Sequence, residues 1–411
     1  MRTLKKISLA AAAIILIALI KYGLDKISPA SAPFHDNLLN GLQWLVLLGL
    51  MCWLVLQLAW QLIRKKDVPW WWTLIMLVLL VSGEWGLKGA MAQSNEVSAE
   101  TRAYMLQYYL AYERELPEVQ EECARYDPEL TYTYKAGARS VMDGPEFSET
   151  ISFNSVGLRD DEASVKAPEI ICLGDSYTMG VGTPQEHTYP QVLEKLTGLK
   201  VLNAGVSSYG TARETMLLKR LDMSALRGII IQYCFNDIAE NKTYVNNKYS
   251  LPVRSSAEYK AAVRSHKWAT LYYPLKRVLT ISRTMVRDKL AKLLGRPVMV
   301  GPKPVEHDRS YVLEAARDFI KIIYHSGIDF SKVKVMVVDM NRYPVYDHHL
   351  AAVAEQIMTS GEYSPEFVNN IQFVDISLMN DPQFYFPLDN HLNSTGHAML
   401  ARLIYEALVA E

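Results

Sequence analysis

Short apolar runs that alternate with helix-patterned segments constrain the second half of this chain more than any other feature. The predicted strands are residues 170–173, 201–202, 228–233, 333–339 and 372–376. The predicted helices are residues 185–196, 211–223, 310–325, 349–359 and 394–409. Strands of this kind are typically buried in a parallel sheet, and helical crossovers join them in one hand. The alternation predicts an α/β fold with a doubly wound parallel sheet.

A serine follows the first of these strands directly. Gly174, Asp175 and Ser176 come after residues 170–173, and ligands of open α/β sheets bind beyond the carboxyl ends of strands. Ser176 would also begin the next turn, where free backbone N–H groups favour a developing negative charge. The same tripeptide forms ordinary loops in which Asp or Ser is a cap. A catalytic interpretation therefore depends on residues further along the chain.

The second informative stretch is residues 386–393, which precede the last helix and contain Asp389 and His391. A serine hydroxyl needs a base to take its proton, usually a histidine oriented by a carboxylate. Because the ends of parallel strands share one edge, Ser176 and His391 are expected to meet there. The N–H groups of Ser176 and Gly205 and the amide of Asn236 would then form an oxyanion hole.

These residues occur in the order of the four blocks of the SGNH, or GDSL, hydrolases, which the chain resembles over about residues 154–410. The blocks are Gly174-Asp175-Ser176, Asn203-Ala204-Gly205, Asn236-Asp237 and Asp389-Asn390-His391. The resemblance implies a flavodoxin-like three-layer α/β/α fold and a serine esterase or acyltransferase. It implies Ser176 as nucleophile, His391 as base, Asp389 as its orienting residue, and Ser176, Gly205 and Asn236 as oxyanion donors.

Two positions depart from the family pattern. Cys234 stands where the third block commonly has glycine, and one residue separates Asp389 from His391 where many members have two. The shorter spacing resembles the branch that acylates or deacylates bacterial envelope polysaccharides. The cysteine leaves the shape of the loop before Asn236 open.

The first 92 residues predict a membrane anchor with three transmembrane helices. Residues 7–20 are apolar after a basic start, residues 37–63 carry no charge, and residues 68–83 form a third apolar run. Basic residues precede the first of these segments, at Arg2 to Lys6, and follow the second, at Arg64 to Lys66. They indicate that both points lie on the cytoplasmic side. The chain after Lys88 is therefore expected on the outer face of the cytoplasmic membrane. A signal peptide cleaved after Ala32 gives the same result, whereas a surface-lying third segment would leave the large domain cytoplasmic.

The remainder divides into a connector and the catalytic domain. Residues 93–153 predict a helical connector, centred on a helical pattern at 98–125, followed by a small β layer. Residues 154–411 form the α/β domain, with a basic, aromatic insertion at 241–304. The insertion is interpreted either as helices with a solvated basic face or as a lid or membrane-facing element that grips anionic headgroups.

Composition and motifs exclude several classes of function. The formal net charge of -1 does not favour nucleic-acid binding. The four cysteines lack metal-ligand spacing and predict no disulfide, and neither a phosphate loop nor a dinucleotide fingerprint follows the first strand. No cofactor or metal is expected. Asp347-His348-His349 is interpreted as a polar loop because three adjacent side chains do not readily converge on one ion.

Three further residues near the predicted nucleophile are candidates for substrate contact: Arg159, Asp175 and Tyr177. For Arg159, the alternative to contact with an anionic substrate is a solvated or structural role. The sequence thus predicts a membrane-anchored, outward-facing esterase or O-acyltransferase that forms an acyl-Ser176 intermediate on an envelope carbohydrate or lipid. The anchor slightly favours transfer, or work beside a membrane acyl-donor protein. The alternative is an inactive module of the same fold that binds glycan or scaffolds a membrane complex.

Overall fold

The computed structural model describes residues 70–273, 275–296, 298, 309–340 and 349–410. The chain forms two compact units. Unit 1 comprises Met1–Arg114 and Arg264–Gly301, and unit 2 comprises Glu115–Val263 and Pro302–Glu411.

The described secondary structure consists of short strands and longer helices. The strands are β1 (Ala124–Asp127), β2 (Thr131–Tyr134), β3 (Arg139–Asp143), β4 (Ser148–Ser152), β5 (Ile170–Gly174), β6 (Val201–Gly205), β7 (Gly228–Tyr233), β8 (Lys334–Asp339) and β9 (Ile371–Phe373). The helices are α1 (Trp70–Ala92), α2 (Ala99–Tyr112), α3 (Ser176–Met179), α4 (Tyr189–Thr197), α5 (Thr211–Leu218), α6 (Asp237–Asn246), α7 (Ser256–Thr270), α8 (Lys276–Leu293), α9 (Arg309–Tyr324), α10 (His349–Met358), α11 (Pro365–Asn369) and α12 (Ser394–Val409).

Unit 2 is organised around a parallel sheet of five strands in the order β6-β5-β7-β8-β9. The first three strands of this sheet along the chain, β5, β6 and β7, are neighbours, and β8 and β9 are added beyond β7. Gly174 at the end of β5 pairs with Gly205 at the end of β6. The prediction of an α/β fold with a parallel sheet is confirmed, and the register brings the ends of β5 and β6 together.

Alternate residues of the strands bury on opposite faces of this sheet, because successive side chains of a strand point in opposite directions. Ile171 and Leu173 belong to one buried cluster, which contains Phe319 of α9. Ile170 and Cys172 belong to another, with side chains of α4 and α12. Helices therefore cover both faces and make three layers. This explains why the strands are continuously apolar in sequence.

Several element ends differ from the sequence-based predictions. The helical pattern at 98–125, which the sequence predicts to be interrupted at Pro117, forms an α-helix only as far as Tyr112. Pro117 begins a 3-10 turn, because proline cannot continue a helix interior. The strand β1 then starts at Ala124, inside the predicted helix. It pairs with β2, and β3 pairs with β4, as two antiparallel hairpins in the region predicted as a small β layer.

The helix predicted at 185–196 starts late for a similar reason. Thr188 is extended, and Pro190 occupies the first turn of α4, which a 3-10 turn at Gln185–His187 precedes. The second strand, predicted at 201–202, continues to Gly205. The helix predicted at 211–223 stops at Leu218.

The described helices of unit 1 include α1, α2 and α8. Gly83 of α1 lies close to Val278 of α8. Glu84 is buried and accepts a hydrogen bond of 3.1 Å from the backbone N–H of Val278. Arg277 forms ion pairs with Glu84 at 3.4 Å and with Glu113 at 2.6 Å. These contacts fix which face of α8 points into the unit.

Within the described residues, no helix is both long enough and apolar enough to span a membrane. The first two predicted transmembrane segments lie outside the described residues. The third, predicted at 68–83, overlaps the first half of α1.

Candidate active site

Ser176 lies at the carboxyl end of the sheet, where β5 turns into α3. Gly174 has φ 156°, and a Cβ there would come within 2.0 Å of Thr178 Oγ1. Asp175 caps α3, since its carboxylate accepts a hydrogen bond of 2.9 Å from the Tyr177 N–H. The glycine and the cap together place Ser176 as the first residue of α3, and its side chain is nearly buried.

His391 and Asp389 meet Ser176, although 215 residues separate the serine from the histidine. The distance from Ser176 Oγ to His391 Nε2 is 2.7 Å. On the other side of the ring, Nδ1–H of His391 donates to Asp389 Oδ1. Both side chains are buried. The carboxylate fixes the tautomer in which Nε2 is free to accept the serine proton.

The loop that carries these two residues is held by a hydrogen bond within itself and by a side chain from another hairpin. It closes as a short hairpin, with a hydrogen bond of 2.8 Å from Phe386 N–H to the His391 carbonyl. The carboxylate of Glu146, from the turn between β3 and β4, accepts hydrogen bonds from the N–H groups of Leu388 and Asp389. Glu146 was not predicted from the sequence, because no local pattern indicates a contact with a loop about 240 residues away.

Tyr177 contacts the same loop. Its hydroxyl donates a hydrogen bond of 3.1 Å to the carbonyl of Asn390, which has φ 72°. Its ring lies 5.2 Å from the ring of His391. Tyr177 therefore links α3 to the loop that carries His391, and its predicted contact with substrate stays a prediction.

The predicted oxyanion donors are only partly available. The N–H of Gly205 donates to Asn203 Oδ1 at 3.0 Å. A Cβ on Gly205 would come within 2.3 Å of the backbone nitrogen of Met179, so this glycine permits the close approach of β6 to α3. The prediction that Gly205 supplies an oxyanion donor is not met in this structure, because that hydrogen is already used.

Asn236 stands at the start of α6, beside the turn that carries Asp175 and Ser176. Its Nδ2 donates a hydrogen bond of 2.6 Å to Asp175 Oδ2. The thiol of Cys234 donates to Asn236 Oδ1 at 2.7 Å and lies 3.2 Å from Asp175 Oδ2. A primary amide nitrogen carries two hydrogens, so Asn236, which is exposed, keeps one for a ligand. Asp175 orients this amide and is buried behind it. In this structure Asp175 therefore contacts Asn236 where the sequence predicted a contact of Asp175 with substrate.

A cluster of buried carboxyl groups lies behind Asp175. Burial, followed by the charges of Asp237 and Asp175, raises the pKa of Glu214 well above its ordinary value. Burial and the charge of Asp175 likewise raise the pKa of Asp237. Among the described residues, neither carboxyl oxygen of Glu214 has a hydrogen-bond partner. The physical consequence is that the folded protein favours the neutral form of Glu214.

Arg159 is fully buried, and its guanidinium contacts the loop that follows α3. It donates to the carbonyls of Met179 at 3.0 Å and Thr183 at 2.6 Å, and also to the carbonyl of Gly180. Burial lowers the pKa of Arg159 to about 10. The structure therefore supports the structural alternative for Arg159 and not a contact with substrate.

In the described ranges, no group of three or more His, Cys, Asp or Glu side chains is arranged to hold a metal ion. Asp347 and His348 lie outside the described residues. The side chains that converge at this site are the serine, the imidazole, the carboxylate and the amide.

Comparison with known proteins gives distant structural similarities. No family model and no curated protein matches the sequence. A G-D-S-L family protein from Desulfitobacterium hafniense DCB-2 is similar at 11% identity and a TM-score of 0.30, covering 58% of this chain and 97% of that one. A carbohydrate esterase family 2 enzyme from Corynascus thermopiles is similar at 12% identity and a TM-score of 0.33, covering 68% and 75%. The lipase Lip_vut3 from a goat rumen metagenome is similar at 14% identity and a TM-score of 0.29, covering 58% and 96%.

Proposed function

We propose that this protein is a serine esterase or O-acyltransferase of the SGNH type that acts through an acyl-Ser176 intermediate. The observation that carries the proposal is the continuous hydrogen-bonded chain from Asp389 through His391 to Ser176 Oγ. This arrangement activates a hydroxyl for attack on a carbonyl. It favours an enzyme over the inactive binding module, which has no need of an oriented imidazole.

The reaction has two stages. In the first, His391 Nε2 accepts the Ser176 proton as Oγ bonds to the ester carbonyl carbon, and the Ser176 N–H and the second amide hydrogen of Asn236 stabilise the oxyanion. The imidazolium then protonates the leaving alcohol as its C–O bond breaks. Asp389 stays ionised and stabilises the imidazolium. In the second stage, His391 deprotonates water or a sugar hydroxyl as its oxygen bonds to the acyl carbon. The bond from that carbon to Ser176 Oγ then breaks, and the imidazolium returns its proton to Oγ.

The substrate class and location follow from the sequence expectations. We infer an ester on a cell-envelope carbohydrate or lipid, handled by a domain on the outer side of the cytoplasmic membrane. The charge-free run at 37–63 supports an anchor, because about 20 apolar residues suffice to cross a bilayer. The outer location rests in addition on a crossing by residues 68–83, since Arg64 to Lys66 indicate the cytoplasmic side. An anchored enzyme is suited to acyl transfer beside a membrane acyl-donor protein.

The test is covalent labelling with a fluorophosphonate, which reacts with activated serines. The full chain in detergent or membranes is expected to carry one adduct on Ser176, identified by peptide mass spectrometry, and Ser176→Ala is expected to carry none. The matched control is Ser207→Ala, which removes a hydroxyl from a buried serine at the end of the neighbouring strand and should keep the adduct. A folded wild-type protein that remains unlabelled supports the inactive module.

Hydrolysis and transfer are separated by the fate of the acyl group. Incubation of acetylated envelope fractions with wild type should release acetate if water is the acceptor. If a sugar hydroxyl is the acceptor, an added oligosaccharide should instead gain acetyl groups, and the released acetate should fall by the same amount. Both signals should vanish in Ser176→Ala.

A further inference from the structure

The outer face of α8 in unit 1 carries an apolar stripe. Val286, Leu290 and Leu293 are spaced by four and three residues, which places them on one side of the helix. More than half of each side chain is exposed, and Leu293 is 82% exposed. Leu294, just past the helix end, is exposed as well. An exposed stripe of this kind on one helix indicates a surface that binds something apolar.

Basic side chains flank the stripe on both sides. At about 100° per residue, Arg283 and Arg287 lie along one edge and Lys289 and Lys292 along the other. The acidic residue of α8 is Asp288, which is buried on the side opposite the stripe and accepts a hydrogen bond of 3.1 Å from Arg287 Nε. The exposed face therefore combines an apolar centre with cationic margins.

The opposite face of α8 is committed to the interior of unit 1. Lys276, at the helix start, is buried, and its Nζ donates to the carbonyls of Tyr112, Ala269 and Leu271. Burial lowers the pKa of Lys276 to about 8. With Arg277 paired to Glu84 and Glu113, these contacts prevent the helix from turning its stripe inward.

Other exposed apolar and aromatic side chains occur in the same unit. Val78, Val81 and Trp85 of α1 are spaced by three and four residues and are exposed, Trp85 at 69%. Trp268 and Tyr272 are also more than half exposed. Aromatic side chains with one apolar and one polar end are typical of the boundary between a bilayer and water.

We propose that α8 lies on the surface of an anionic phospholipid bilayer, with Val286, Leu290 and Leu293 in the acyl boundary and the flanking basic residues on lipid phosphates. A bilayer fits better than a protein partner, because the cations border both sides of one apolar stripe along the helix, as in interfacial helices. The charge-free run at 37–63 of the same chain would bring unit 1 to such a surface. The proposal does not depend on the chemistry of Ser176.

The experiment places a fluorescent reporter on the stripe. The full chain carrying Cys52→Ser and Leu293→Cys is labelled with bimane, since the thiols of Cys123, Cys172 and Cys234 are buried. The protein is reconstituted in nanodiscs of phosphatidylcholine alone or mixed with phosphatidylglycerol. Quenching by doxyl-labelled lipid reports contact with acyl chains, and quenching by aqueous iodide reports exposure to water.

The expected result is several-fold stronger lipid quenching in the phosphatidylglycerol discs than in the neutral ones, with iodide quenching reduced. Replacing Lys289 and Lys292 by glutamine should remove most of that difference, because each basic residue near an anionic surface strengthens attachment about fivefold. The matched control is a label at Leu378→Cys, an exposed leucine of unit 2, which should respond to iodide alone.

Two results would overturn the proposal. A label at position 293 that iodide quenches fully and lipid does not would show a solvated helix face. A label protected from both quenchers would show that protein covers the stripe, either another segment of this chain or a second copy. Adding Ser176→Ala to the labelled chain should leave every result unchanged, which separates this surface from the proposed catalysis.

Discussion

Removal of the imidazole at position 391 tests the proposed chemistry most directly. In His391→Ala, the hydroxyl of Ser176 loses the acceptor that lies 2.7 Å away, and Asp389 loses the ring that it orients. A positioned general base contributes roughly 10²- to 10⁴-fold to rate. The corresponding increase in activation free energy is about 3–5 kcal/mol at 1.36 kcal/mol per tenfold. We expect kcat for an activated acetate ester to fall by that factor, with a smaller change in KM.

The assay is release of p-nitrophenol from the acetate ester, measured with the full chain in detergent. In the variant, the carboxylate of Asp389 is buried without its partner, and we expect the free energy of unfolding to fall by about 1–3 kcal/mol. The far-UV circular dichroism of the variant is therefore compared with that of wild type before rates are measured. Added imidazole should restore part of the rate, since a free base enters the space left by the side chain. A purely structural role for His391 predicts no such rescue.

A second check compares the loss of rate in the double variant with the losses in the two single variants. If Ser176 and His391 act as one unit, the double variant Ser176→Ala/His391→Ala should be no slower than either single variant. Multiplicative losses would show that the two side chains contribute separately. Wild-type turnover in His391→Ala would refute the role of base altogether.

Three further predictions follow from the surroundings of the nucleophile. Arg159→Met should lower the free energy of unfolding in urea by about 2–4 kcal/mol, because buried carbonyls lose a charged donor; unchanged stability with a raised KM would instead indicate substrate binding. Cys234→Ala should lower kcat about tenfold while Cys234→Ser keeps it, because the thiol positions the Asn236 amide; equal rates in both would contradict this. Glu214→Gln should reduce the loss of stability between about pH 5 and about pH 8, measured by urea unfolding at each pH; a slope equal to that of wild type would contradict it.

The sign of the last prediction follows from the raised pKa of Glu214. A carboxyl group with a higher pKa in the folded state binds its proton more tightly when folded than when unfolded. Its contribution to stability is therefore complete below the ordinary pKa of glutamate and is lost as pH rises through the folded value. Glutamine cannot ionise, so the variant lacks this loss.

The sequence by itself determined the class of fold, and it predicted that Ser176 and His391 come together, as they do in the structure. Continuous apolar strands that alternate with helices form few stable folds other than a parallel sheet covered on both faces. The apolar runs at residues 170–173 and 228–233 are visible in the sequence itself. Ser176 and His391 were predicted because Ser176 closely follows an apolar strand and His391 closely precedes the last helix. Reactive residue types therefore lie where the local pattern places the ends of these elements.

Tertiary structure alone decided how the remaining polar groups are used. Whether the Gly205 N–H is free, which atom Asn236 contacts and where the Arg159 guanidinium points depend on groups far away in the chain, and local periodicity does not encode such distances. The same holds for Glu146, which holds the Asp389 loop from another hairpin. A buried hydrogen-bonding group must find a partner when water is excluded, and only the packed chain determines which partner is within reach.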